Sequence, residues 1–221
     1  MPSLSEEIRV NTNNAEHWDA IYSTTPTEKL GWYEVHPQPS LDLITRCKLE
    51  CGDPILDAGA GASTLLDHLL PIRFTQLYAV DHSREALNKL RARLGKKHSS
   101  AVNWIVTDVS DVESLSAVPP VKLWHDRAVL HFLTTEKQRA AYLHTLKSVL
   151  QPEGYAILAA FAVGGANQCS GLPVTNYDRQ SFTDFLGKDF TILDCLEHQY
   201  LMPSGAERSY TYIRAQFCKP A

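Results

Sequence analysis

The run Ile55-Leu56-Asp57-Ala58-Gly59-Ala60-Gly61-Ala62-Ser63 sets a carboxylate two residues ahead of two alternating glycines. Apolar Ile55 and Leu56 read as a short buried strand, the glycines as a tight turn, and the residues from Ser63 as the start of a helix. Gly59 can take a left-handed backbone angle, and Gly61 lets a ligand come close to the main chain. A loop of this kind, leading into helix N–H groups, makes a small-molecule site. A dinucleotide fingerprint would place a third glycine at the sixth position, where Thr64 stands. Asp57 would repel a pyrophosphate and would suit a ligand carrying an ammonium group. An ordinary strand–turn–helix with no ligand also fits the loop taken alone.

Three more apolar runs close on an acid. Leu77 to Asp81, Val102 to Asp108 and Val121 to Asp126 read as strands, separated by helical stretches from Ser63 to Leu70 and from Ser83 to Leu94. A further helix, Thr135 to Leu150, stops at Pro152 and Gly154, and Tyr155 to Val163 reads as a fifth strand. Alternation of this kind specifies a parallel sheet with right-handed crossovers, whose ligands bind at the carboxyl ends of the strands. Asp57, Asp81, Asp108 and Asp126 would then lie along one edge, and they would repel one another unless a ligand supplied donors or positive charge. The tail departs from the alternation. A helix from Asp178 to Leu186 leads to Phe190–Glu197 and Ser209–Phe217, two strands with no helix between them, which predicts an antiparallel hairpin.

The segment ahead of this domain is aromatic. Residues 1–12 are polar and expected to be loose, and Asn14 to Tyr22 reads as a short helix. Trp18, Tyr22, Trp32 and Tyr33 crowd the stretch before His36-Pro37-Gln38-Pro39. They can pack this lead-in onto the domain, or Trp18 and Trp32 can close as a lid, since aromatic faces suit a cation. The two roles are compatible. Ser40 is placed as the cap of a helix reaching about Glu50, which would put Cys47 and Cys51 on one face. The chain thus divides into a lead-in over residues 1–38 and a ligand-binding domain over residues 39–221.

Bulk properties exclude several classes. With 221 residues, 44% hydrophobic and 21% charged, the chain can bury one sizeable core. A net charge of −4 and the lack of any long basic block disfavour nucleic acid as a partner. No apolar run is long enough to span a membrane and no signal peptide is evident, so a cytoplasmic protein is expected. The five cysteines form no C-x-x-C pair, and the histidines show no ligand spacing, so no metal site is expected.

From Pro39 to Lys219 the pattern resembles class I S-adenosylmethionine-dependent methyltransferases. These have a Rossmann-like α/β three-layer sandwich, with a seven-stranded, mostly parallel sheet closed by an antiparallel hairpin. S-Adenosylmethionine carries an ammonium and a sulfonium and no phosphate, which agrees with Asp57. The resemblance implies that Gly59 and Gly61 pack against its methionine part and that Asp57 serves its ammonium. It further implies that Asp81 binds the ribose hydroxyls, that Asp108 accepts from the adenine amino group, and that Val109 offers its N–H. Ser63 stands where many members have a third glycine.

The stretch Trp124 to Leu133 resembles the acceptor-side turn of small-molecule methyltransferases. At Asp126 it also resembles some protein-lysine enzymes, which tend to carry a further acid where His131 stands. The aromatic lead-in is similar to that of thiopurine, thiol and halide methyltransferases, though lysine enzymes can share it. His125, Asp126 and His131 are the candidates for catalysis near the methyl group. For Asp126 an ion pair with Arg127 is an equal reading, and for His131 capping of the next helix. The expected function is methyl transfer to a small-molecule acceptor. A protein-lysine methyltransferase is the alternative, and a non-catalytic binding protein or an NAD-dependent enzyme lies further off.

Overall fold

The computed structural model describes residues 15–218. The expectation for residues 1–12 lies outside them. Helix α1 spans 15–24 and α2 Gln38–Arg46. Then come β1 Ile55–Ala58, α3 Leu65–Leu69, β2 Leu77–Asp81, α4 Arg84–Ser99, β3 Val102–Val106 and β4 Val121–Arg127. They are followed by α5 Glu136–Val149, β5 Leu150–Phe161, a small hairpin β6 Gln168–Cys169 and β7 Leu172–Pro173, α6 Arg179–Leu186, β8 Phe190–Leu201 and β9 Glu207–Phe217.

Seven strands form one sheet in the order β3-β2-β1-β4-β5-β9-β8. Its first five members are parallel, and β9 runs antiparallel to both β5 and β8. The Rossmann-like three-layer sandwich is therefore present. Side chains alternate across the sheet because a strand repeats every two residues. Ile55, Leu77, Ala79 and Leu123 face α2, α3 and α4, where Leu43, Leu65, Leu66 and Leu90 are buried. Leu56, Ala58, Val80 and Trp124 face α5 and α6, against Tyr142, Leu146 and Phe182.

Local signals place most helix ends. Ser83 Oγ accepts from Ala86 N at the start of α4, and Gly95 (φ 68°) breaks that helix where its sequence position predicts. Thr135 and Gln138 form a reciprocal capping box at α5, and Asp178 with Ser181 does the same at α6. Two expectations are corrected. Helix α2 begins at Gln38 behind Pro37, so Ser40 sits inside it rather than at its cap. It ends at Arg46, so Cys47 is buried while Cys51 lies beyond the helix and is exposed. A third feature, the hairpin β6–β7, has strands of two residues each, too short for sequence periodicity to reveal.

Candidate functional site

A cavity of about 310 Å³ opens at the carboxyl ends of the parallel strands. Asp57, Gly59, Gly61, Asp81, Asp108, Val109 and His125 all line it, as do Trp18 and Trp32 from the lead-in. The glycine loop is built for close approach. Gly59 has φ +67° and Gly61 φ +52°, and a methyl group at either would collide, with Val129 and with the Tyr22 hydroxyl respectively. Arg93, reaching over from α4, donates Nη1 to Ala62 O at 2.8 Å and Nη2 to Ser63 O, and grips Asp67 at 2.7 Å. That clamp fixes the turn where a third glycine is missing, and its partners lie too far along the chain for local patterning to show it.

The acids differ in what holds them. Asp57 is 2% exposed, and its Oδ1 accepts from His125 Nδ1 at 2.7 Å. His125 Nε2 in turn meets Ser40 Oγ at 2.8 Å, so both ring nitrogens are engaged. A carboxylate can only accept, so Nδ1 carries the hydrogen and the ring orients Asp57. The second oxygen of Asp57, Oδ2, is buried with no hydrogen-bond partner. Asp81 accepts from Gly61 N through Oδ2 at 2.8 Å and from Ser83 N through Oδ1 at 2.7 Å. Burial pushes its pKa up, against the lowering effect of His82 and of those two N–H groups. Asp108 Oδ1 accepts from Ser110 N at 2.8 Å and Ser110 Oγ at 2.6 Å, a turn that sets the acid at the end of β3.

Asp126 does not join this edge. In the strand register Asp57 lies beside His125 and Ala58 beside Asp126, so Asp126 points to the other face of the sheet. There it is fully buried and accepts from Tyr142 Oη at 2.6 Å, Val129 N at 3.0 Å and Leu130 N at 3.1 Å. Burial pushes its pKa up to about 6 in spite of those donors. The expected pair with Arg127 is also absent, because neighbouring residues on a strand point apart. His131 is likewise fully buried behind the cavity wall, packed edge-on against Phe132 and Phe161. Its Nδ1 accepts from Phe161 N at 3.4 Å, and it caps no helix. Burial and the charge of Arg127 push its pKa down to about 3, so the ring stays neutral.

Arg127 pairs instead with the lead-in. Its Nε lies 3.0 Å from Glu34 Oε2 and donates to Tyr212 Oη at 2.9 Å, and its Nη1 donates to Trp32 O at 2.9 Å. Burial raises the pKa of Glu34, opposed by Arg127. The lead-in is tied down at other points too. Thr64 Oγ1 donates to Glu34 O at 2.8 Å, Tyr200 Oη donates to Tyr33 O, and Asp19 accepts from Ser83 Oγ at 2.6 Å. Trp18 packs edge-on against Trp32 at 5.5 Å and Phe132 at 5.1 Å, and Tyr22 against Trp32 at 5.9 Å. The lead-in therefore packs onto the domain and walls the cavity at once.

The cavity fits a ligand with a cationic nitrogen: Asp57 Oδ2 is buried without a hydrogen-bond partner, beside a glycine turn that lines the cavity. Among the described residues, no group of three or more His, Cys, Asp and Glu could hold a metal, and no helix is long and apolar enough to cross a membrane.

Residues 56–156 match the sequence model of a family described as a methyltransferase domain. No curated protein sequence matches the chain. Solved structures share its fold at low identity. A SAM-dependent methyltransferase from Anabaena variabilis is 15% identical, with a TM-score of 0.73 over 94% of this chain and 95% of that one. The 1,6-didemethyltoxoflavin-N1-methyltransferase of Burkholderia thailandensis, solved with 1,6-didemethyltoxoflavin and S-adenosylhomocysteine, is 17% identical, with a TM-score of 0.69 over 99% and 92%. The N-methyltransferase NodS from Bradyrhizobium japonicum, in complex with S-adenosylhomocysteine, is 16% identical, with a TM-score of 0.69 over 94% and 100%.

Proposed function

We propose, from the premise that this chain carries a methyltransferase domain of the class I, S-adenosylmethionine-dependent kind, that it methylates a small-molecule acceptor. The observation that carries this reading is a cavity of about 310 Å³ with lead-in residues Trp18, Trp32 and Glu34 in its lining. On this reading Trp18, Trp32 and Glu34, which line the cavity, would obstruct a protein side chain seeking the methyl group. Relatives in fold that act on small molecules support it, the toxoflavin enzyme among them.

The roles follow from position. Asp57, oriented by His125 and Ser40, receives the cofactor's ammonium on its unpartnered oxygen. Gly59 and Gly61 admit the methionine part, Asp81 holds the ribose, and Asp108 with the Val109 N–H holds the adenine. Trp18 and Trp32 line the cavity and offer aromatic faces to the sulfonium end. When bound, S-adenosylmethionine supplies an electrophilic methyl group. The acceptor's lone pair attacks the methyl carbon in line as the carbon–sulfur bond breaks, its electron pair passing to sulfur. An amine or hydroxyl acceptor also releases a proton, and a thiolate does not. The protein's contribution is alignment and exclusion of water. His125 acts as a positioning residue, while Asp126 and His131 shape the β4 turn from behind.

Calorimetric titration tests the reading first. S-Adenosylhomocysteine binds and NAD does not; binding of NAD alone would sink it. Incubation with methyl-labelled S-adenosylmethionine and a cell extract then separates acceptor classes. Label in small molecules is expected, and label confined to macromolecules would favour the protein-lysine alternative.

A further inference from the structure

We propose that Arg127 selects the methyl acceptor by binding a carboxylate carried beside the nucleophile. The proposal rests on the small-molecule reading above and adds the chemical class of the substrate.

Arg127 ends β4 and lines the cavity together with Glu34, Cys169 and Leu172, which no cofactor role claims. The guanidinium is fixed on three sides. Its Nε is held by Tyr212 Oη and Glu34, its Nη1 by Trp32 O, and its plane lies over the rings of Tyr210 and Tyr200, 4.7 Å and 5.2 Å from their centres. The remaining nitrogen, Nη2, is buried with no hydrogen-bond partner. A buried donor in that state is unfavourable until an acceptor reaches it, and a charged donor strongly so. The surroundings already orient the group, so an oxyanion that reaches Nη2 requires no turning of the guanidinium.

Charge narrows the choice of anion. Burial raises the pKa of Glu34 while the charge of Arg127 opposes the rise, and the guanidinium keeps its own proton. Burial raises the pKa of Cys169, with the Ser170 hydroxyl and the charges of Arg208 and Arg127 acting against the rise. Yet Glu34 lies 3.0 Å from the same guanidinium, and a dianion such as a phosphate would meet its full repulsion. A planar monoanion fits better, and in a space of about 310 Å³ shared with the cofactor it must be small.

The test compares acceptors that differ only in the carboxylate. Protein saturated with S-adenosylhomocysteine is titrated with anthranilate against aniline and with 2-mercaptobenzoate against thiophenol. The acids are expected to bind at least tenfold more tightly than their partners. Arg127→Met should erase that difference and Arg127→Lys should keep part of it, with S-adenosylhomocysteine affinity held within threefold. Equal binding of acid and neutral partner, no binding of any of the four, or a preference that survives in Arg127→Met would overturn the proposal and leave the methyltransferase reading standing. If Arg127→Met instead loses S-adenosylhomocysteine affinity while 5′-methylthioadenosine binds as before, Arg127 holds the cofactor's own carboxylate and the proposal falls. Should Arg127→Met strand Glu34 and fail to fold, the double variant Glu34→Gln/Arg127→Met removes both charges and carries the same comparison. Label found only in proteins would reject the small-molecule reading, and this inference with it.

Discussion

Asp57 is hydrogen-bonded through one oxygen and unpartnered at the other, which distinguishes it from the other acids of the site. Its Oδ1 is bound by His125, whereas Oδ2 is buried and unpartnered. Asp57→Asn would present an amide N–H or a weaker acceptor to a cationic ligand. S-Adenosylhomocysteine affinity should fall at least tenfold, about 1.4 kcal/mol, and an unchanged affinity would remove Asp57 from the site. Asp81→Ala should weaken the same ligand more than Arg127→Ala does, and the reverse order would exchange their roles. The acids and glycines were legible because strand ends and turns are local in sequence. Ser40 and Glu34 were not, because their meaning comes from partners on distant strands: Ser40 meets His125 across 85 positions, and Arg127 reaches Trp32 O across 95. Asp126 misled because an acid at a strand end carries no mark of which face it takes until the register is known.

At the scale of elements, α1 is fastened to the start of α4. Asp19 Oδ1 accepts from Ser83 Oγ at 2.6 Å and from Glu85 N at 3.2 Å, adding a second cap to a helix that Ser83 already caps. Lys89 Nζ reinforces the joint by donating to Thr25 O at 3.1 Å. Asp19→Ala removes the carboxylate from both bonds, a loss of about 1 kcal/mol by the usual worth of a helix cap. Amide exchange across residues 15–36 should quicken by roughly fivefold, and S-adenosylhomocysteine should bind several-fold more weakly. Unchanged exchange would mean that the aromatic contacts alone hold the lead-in. The alternation of strands and helices, and the terminal hairpin, followed directly from periodicity. The β6–β7 hairpin escaped because two-residue strands have no period to read.

For the molecule as a whole, two buried groups, Asp126 and His131, set opposing pH dependences. Asp126 has a folded pKa of about 6 against the ordinary 3.8. Its raised value makes the fold favourable while it is protonated, and that contribution is lost as pH rises from about 4 through 6. His131 has a folded pKa of about 3 against 6.5, so it stabilises nothing by charging, and stability is lost as pH falls below about 6.5. The two slopes offset each other through the mildly acidic range. Asp126→Asn should gain on the wild type as pH is raised from about 4 to 7, by on the order of 2 kcal/mol. His131→Gln should gain on it as pH is lowered over the same range. Urea unfolding at four pH values reads both, and variants that track the wild type at every pH would show that neither group titrates with folding.

The aromatic wall also governs traffic. Trp18, Trp32 and Glu34 border the same cavity as Asp57 and Arg127. If cofactor and acceptor share that cavity as proposed, a single entrance would impose a sequence: the deeper occupant enters first and leaves last. S-Adenosylhomocysteine should therefore be the final product released and should compete with S-adenosylmethionine at every acceptor concentration. If opening of the lead-in limits its departure, kcat should fall in proportion to solvent viscosity while the chemical step, read from a single turnover, does not. Turnover indifferent to viscosity would place the slow step at the methyl group itself.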